Sequence, residues 1–167
     1  MKNFKEELSF VKAFAFDVDG VFSNCNVYLH PSGDMMRTMN IKDGFAVKLA
    51  VKKGYPVCII TGGISESVRI RFQGLGVNDV YLNSPDKLND LTEFCNNHQV
   101  SLNNVLYMGD DLPDINVMGN VGIPTCTSDA VEEIKSISKY ISHHKGGEGC
   151  VRDVIEQVLR AQGNWFT

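Results

Sequence analysis

Short apolar runs alternate with segments of helical spacing along most of the chain. Residues 11–16, 56–60, 104–108 and 121–123 are short, apolar and bounded by Gly, Asp or Pro, which reads as buried strands. A further short strand is expected near 80–82. Residues 43–53, 65–74, 86–98 and 112–118 carry helical spacing, with caps expected at Asp43 and Ser65, and a last helix is expected over about 149–161. Strands that alternate with helices predict an α/β fold, a doubly wound parallel sheet of the Rossmann type, whose ligands bind beyond the carboxyl ends of the strands. One segment breaks the alternation. In 24–40, the runs 25–30 and 35–39 flank Pro31-Ser-Gly-Asp34 and predict a β-hairpin.

Composition bounds what such a fold does. With 167 residues and 43% hydrophobic content, one domain over 1–167 is expected, with the hairpin as an insertion at about 24–40. The formal net charge of −4 and the lack of a Lys/Arg run leave a nucleic-acid or acidic-membrane partner without an electrostatic footprint. The first 16 residues are wrong for a secretory signal and no later segment suits a bilayer, so a cytoplasmic protein is expected. Five scattered cysteines without a Cys-x-x-Cys pair read as reduced, mostly buried thiols.

The chemistry is concentrated where strands end. Asp17 and Asp19 close the first run, and side chains two apart on an extended segment face the same way. Two carboxylates so close resist joint ionisation, so either a cation binds between them or one holds a proton. After the run 57–60 comes Thr61-Gly-Gly63, then a helix whose first-turn N–H groups suit an anion. After 105–108 comes Gly109-Asp-Asp-Leu-Pro-Asp114, three carboxylates around one turn, and Lys87 opens a helix between these two clusters. Singly, these are a turn, a helix cap and a surface charge. A parallel sheet would bring them to one edge.

In this order, Asp17-x-Asp19-Gly, strand-Thr61-Gly62, Lys87 and Gly109-Asp-Asp-x-x-Asp114, the chain resembles the haloacid dehalogenase superfamily of phosphatases, all four of whose motifs are matched. Asn40-Ile-Lys-Asp-Gly44 and the tail Gly146-Gly-Glu-Gly-Cys-Val-Arg-Asp153 extend the similarity to its small, capless members that act on 3-deoxy-D-manno-octulosonate (KDO) 8-phosphate. The resemblance implies a Mg²⁺-dependent hydrolase of a phosphorylated sugar acid. Asp17 would be the nucleophile that forms an aspartyl-phosphate, and Asp19 the acid and then the base. Thr61, the Gly62 N–H and Lys87 would bind the phosphoryl group. Asp17, Asp110 and the Asp19 carbonyl would hold the metal. At least one of Asp111 and Asp114 is expected to orient a metal-bound water or pair with Lys87.

Only 44 positions separate Asp17 from Thr61, and 26 separate Thr61 from Lys87, which leaves no room for a cap domain. Another subunit is then the natural lid, and the resemblance implies a homotetramer. Arg71 matches a position where such phosphatases carry an arginine suited to the substrate carboxylate. Lys145 and Arg152 are secondary candidates in the tail. Gly63 stands where related enzymes often carry a charged residue directly after Thr-Gly, and Gly74 where relatives that act on nonulosonate 9-phosphates carry Lys, which weighs against the nine-carbon (KDN or sialic acid) substrate. A response-regulator receiver shares the ingredients, but its acidic pair comes early and its accepting Asp stands alone in the middle; here the double Asp comes late. A non-catalytic regulatory domain would require a broken motif, and none is broken.

Overall fold

The computed structural model describes residues 3–166. After a short helix α1 (Phe4–Glu7) and a 3-10 turn, β1 (Ala13–Phe16) enters the centre of a sheet. A hairpin of β2 (Tyr28–Leu29) and β3 (Met35–Met36) follows. The chain continues through α2 (Ile41–Lys52), β4 (Val57–Ile60), α3 (Glu66–Gln73), β5 (Asp79–Tyr81), α4 (Lys87–His98) and β6 (Val105–Gly109). It ends with α5 (Ile115–Met118), β7 (Ile123–Cys126), α6 (Glu132–Ile137), β8 (Tyr140–Ile141) and α7 (Cys150–Ala161). Six strands form one parallel sheet in the order β5-β4-β1-β6-β7-β8. No described helix is long and apolar enough to cross a membrane.

The alternation along β1 explains the two layers. Phe14 and Phe16 point to one face, with Val57, Ile59, Leu106 and Met108, and are covered by α2, α3 and α7. Ala13 and Ala15 point to the other with Cys58, Ile60 and Tyr107, where α4, α5 and α6 pack. β1, β4, β6 and β7 are buried throughout, as expected of strands covered on both faces.

The strand order reverses between β1 and β6, which pair from Ala13↔Val105 to Phe16↔Met108. A crevice opens beyond the strand ends at such a switch point. The Asp17 N–H donates to the Met108 carbonyl at 3.1 Å, so the acids after β1 and those after β6 leave the sheet side by side.

Several boundaries depart from the sequence reading. β7 begins at Ile123, where the expected strand ends, because Thr125 satisfies its hydroxyl on the Tyr107 carbonyl and so tolerates a buried strand. Residues 112–118 divide into a 3-10 turn (Leu112–Asp114) and one α-helical turn. The cap of α2 is Asn40, whose side chain accepts from the Lys42 N–H, and not Asp43. Asp43 instead is buried between helices and accepts the Arg152 N–H of α7 at 2.7 Å. Ser65 does stand at the N-cap of α3, without a side-chain capping bond. The elements α1, α6 and β8 are too short for periodicity to reveal.

Candidate active site

Asp17 follows the last residue of β1 and is 8% exposed. One carboxylate oxygen accepts the Val18 N–H at 2.6 Å and the other lies 2.8 Å from Lys87 Nζ. Lys87 is the first residue of α4, capped by Asp86, and its ammonium is buried between two carboxylates, with Asp114 Oδ1 at 2.7 Å. Burial alone would pull this ammonium down. Asp17 and Asp114 outweigh burial and hold it above its ordinary value.

Asp114 is the hub of the acidic turn. It is fully buried, and its Oδ1 also accepts the Tyr107 hydroxyl at 2.7 Å while its Oδ2 accepts the Asp110 N–H at 3.2 Å. Asp114 thus orders Lys87 and the backbone of Asp110 and has little lone-pair capacity left for an ion. Asp17, Asp110 and Asp114 bring carboxylate oxygens within 4.8 Å of one another. Burial, and then the charge of Asp114, push Asp17 up to about 8, against the opposing pull of Lys87. Burial, followed by Asp114 and Asp111, pushes Asp110 up to about 7. Neither carboxyl has enough compensating positive charge, the condition a divalent cation between them would relieve. Asp111 is exposed and caps the 3-10 turn through the Leu112 N–H.

A Cβ at Gly20 would overlap the Asp110 carboxylate, and φ of +80° there favours glycine in any case. This explains the glycine of the first motif. The tail glycines serve the same loop from behind: Gly146 packs on the Gly20 carbonyl, and the Gly147 N–H donates to the Val21 carbonyl at 2.9 Å. Asn40 Nδ2 donates to the Gly147 carbonyl at 3.3 Å. With the Asp43 carboxylate of α2 on the Arg152 N–H of α7, the Asn40–Gly44 and Gly146–Asp153 segments form one brace beneath the Asp17 loop.

Thr61 follows β4, is 3% exposed, and accepts the Gly63 N–H on its hydroxyl at 3.1 Å. A cavity of about 500 Å³ is lined by Asp17, Asp19, Thr61, Gly62 and Lys87, with Ser84 among its walls. Four of the sequence motifs therefore meet there or directly beneath it. Arg71 does not line this cavity; within one chain its guanidinium packs against Gly44 of α2. Arg152 lies on α7, paired with Glu156, and Lys145 is exposed.

Two participants were not visible in the sequence. Tyr107 reads as one more apolar residue of β6, although a buried phenol always needs a partner for its hydroxyl. Arg37, on the returning arm of the hairpin, grips Asp19 with Nε at 2.5 Å and Nη2 at 2.9 Å. Only the fold brings it there.

An open parallel sheet with an acidic switch point, an early Asp-x-Asp, and a buried Lys bridging to a late acidic turn defines a class. Residues 63–155 match the model of the haloacid dehalogenase-like hydrolases, and the chain belongs to that family. Within it, the chain is similar over nearly its whole length to 3-deoxy-D-manno-octulosonate 8-phosphate phosphatases. The KdsC enzyme of Salmonella typhi is 33% identical over 92% of this chain and 81% of its own. The crystal structure of the Moraxella catarrhalis phosphatase, in complex with magnesium, phosphate and KDO, superposes with a TM-score of 0.92 at 30% identity, over 97% of this chain and 93% of that one. The Yersinia pestis phosphatase gives 0.93 at 30% identity, over 96% and 87%.

Proposed function

We propose that the protein is a Mg²⁺-dependent phosphatase that converts KDO 8-phosphate to KDO and phosphate through an aspartyl-phosphate on Asp17. The observation that carries this reading is the Asp17 carboxylate, placed at the switch point with one oxygen 2.8 Å from the Lys87 ammonium. The likeness to relatives that act on this sugar acid supports the substrate.

In this reading Asp17 and Asp110 hold the metal, with the backbone carbonyl of Asp19. Their raised protonation, beside an Asp114 already spent on Lys87, Tyr107 and the Asp110 N–H, favours that choice. When bound, magnesium supplies positive charge that offsets the carboxylates and the phosphoryl oxygens. Asp17 attacks phosphorus in line, and Asp19 delivers a proton to the leaving oxygen, then takes one from the water that cleaves the acyl phosphate. Thr61, the Gly62 N–H and Lys87 orient and neutralise the phosphoryl oxygens. Asp114 keeps Lys87 aimed, and Asp111 holds the turn that carries Asp110.

The test is kcat/KM across phosphorylated sugar acids and neutral sugar phosphates. KDO 8-phosphate is expected to lead the series. A preference for a nonulosonate 9-phosphate would move the substrate, and preference for a hexose phosphate would overturn the sugar-acid reading.

Metal binding has a signature apart from turnover. Asp17 and Asp110 sit well above their unfolded value of 3.8, so between about pH 4 and pH 8 the metal-free native state holds protons the unfolded chain has released. Stability therefore falls as pH rises through that window. Asp43, raised to about 6 by burial, adds to the same slope. The metal-free protein should melt at lower temperature at pH 8 than at pH 5.5, and Mg²⁺ should raise the melting temperature more at pH 8. A Mg²⁺ effect that is larger at the acidic end would contradict the assignment.

We further propose a cytoplasmic homotetramer whose hairpins close neighbouring sites. Strand β2 of the hairpin is apolar and open, with Leu29 81% and Tyr28 61% exposed, which supports burial against another copy.

A further inference from the structure

Among the largest fully buried side chains of the described residues, Tyr107 alone carries a hydroxyl. Its ring lies in the layer with Ala13, Ala15, Cys58 and Ile60, where an apolar side chain would need no partner. The hydroxyl goes to the most heavily used oxygen of the acidic turn: Asp114 Oδ1 accepts it at 2.7 Å and accepts Lys87 Nζ at 2.7 Å as well. Burial, and then the charges of Asp114 and Asp17, hold the phenol well above its ordinary value, so it stays a donor. Gly109 opens the space for this arrangement, since a Cβ there would overlap the Asp114 carboxylate.

Lys87 feels this sharing directly. Its ammonium is divided between two carboxylates, 2.7 Å from Asp114 and 2.8 Å from Asp17. In a largely water-excluded site an ammonium settles towards the carboxylate whose charge is less engaged by other donors. Asp17 accepts the Val18 N–H on the oxygen that Lys87 does not use. Asp114 accepts the Asp110 N–H on Oδ2 in the same way, but carries one donor more, and that donor sits on the oxygen that holds Lys87. Tyr107 thus draws on Asp114 at the atom that competes with Asp17 for the ammonium.

We propose that Tyr107 is a positioning residue for phosphoryl transfer: its hydroxyl weakens the hold of Asp114 on Lys87, which keeps the ammonium towards Asp17 and the phosphoryl oxygens. This rests on Lys87 neutralising those oxygens, as proposed above. Without the hydroxyl, Asp114 draws Lys87 to itself, and a cation that serves the transferring group becomes a structural one. Tyr107 does not line the cavity and acts only through Asp114.

The experiment measures hydrolysis of an aryl phosphate by the full-length protein with Mg²⁺, and its inhibition by orthovanadate, a mimic of the phosphoryl group between donor and acceptor. Tyr107→Phe, which fills nearly the same volume, should lower kcat about ten-fold and raise the Ki of vanadate about ten-fold, the scale of one hydrogen bond to a charged group. A misfolded fraction lowers kcat but leaves Ki unchanged, so an unchanged Ki would overturn the proposal. In an Asp114→Asn background, where the amide has no charge to divide, the same substitution should change Ki less than about two-fold. An equal change in both backgrounds would show that Tyr107 does not act through Asp114. A crystal structure of metal-free Tyr107→Phe gives a check apart from rates: Lys87 Nζ should stay on Asp114 and leave hydrogen-bond reach of Asp17, and an ammonium still bonded to both would contradict the proposal. A wild-type protein that hydrolyses the aryl ester but ignores KDO 8-phosphate would overturn the substrate assignment alone, whereas one that hydrolyses neither would overturn the role given to Lys87 together with the reaction.

Discussion

Asp17→Asn abolishes phosphate release, with kcat lowered by about 10⁴-fold or more, the scale expected when a covalent nucleophile is removed. The amide keeps the shape of the carboxylate and can still accept from the Val18 N–H or from Lys87, so the loss is chemical rather than architectural. The same substitution should stabilise the metal-free protein at pH 8. It removes a charge that burial and Asp114 both oppose, and so flattens the decline of stability with rising pH. Turnover by initial rates and melting by calorimetry at pH 5.5 and 8 read the two effects separately. An Asp17→Asn variant that still hydrolyses aryl phosphates with Mg²⁺ would remove Asp17 from the covalent step.

Lys87→Met has the second large effect, and on both folding and rate. The native ammonium is shared by Asp17 and Asp114, which are otherwise two buried carboxylates facing one another. Methionine fills the volume but leaves them uncompensated, a loss of roughly 3–5 kcal/mol for a broken buried pair. Denaturant titration should show this loss grow as pH rises through about 8, the folded value of Asp17, because below it Asp17 already carries a proton in the native state. Mg²⁺ should restore part of the stability by neutralising Asp17, yet kcat should remain at least about 10²-fold down, since the charge on the phosphoryl oxygens is not replaced. Wild-type stability of the Lys87→Met variant at pH 8 would show that Lys87 does not hold the acidic cluster together.

The sheet and the acids at its edge were readable because each central strand is a short apolar run that ends abruptly in a polar turn. Phe14–Phe16 into Asp17 and Leu106–Met108 into Asp110 are two such places, and parallel pairing brings their ends together. β7 was misplaced for the opposite reason. Pro124 and Thr125 look like a turn until the Tyr107 carbonyl supplies a partner for the threonine hydroxyl. Asp43 read as a local helix cap because sequence shows only its own helix, whereas its carboxylate serves the start of α7, more than a hundred residues later. Arg37 carried no local signal, being an isolated charge in the hairpin; its pairing arises when the hairpin folds back over Asp19. Arg71 illustrates the reverse, a residue singled out by similarity that a single chain holds outside its own cavity.

The most direct measurement is a crystal structure of the protein with Mg²⁺ and beryllium fluoride, a mimic of the phosphoryl group on a carboxylate. The mimic should be joined to Asp17, with Lys87 Nζ and the Thr61 hydroxyl on its fluorines and the metal ion bridging Asp17 and Asp110. A metal held by Asp114 with Lys87 displaced, or a mimic seated on any other carboxylate, would contradict the account.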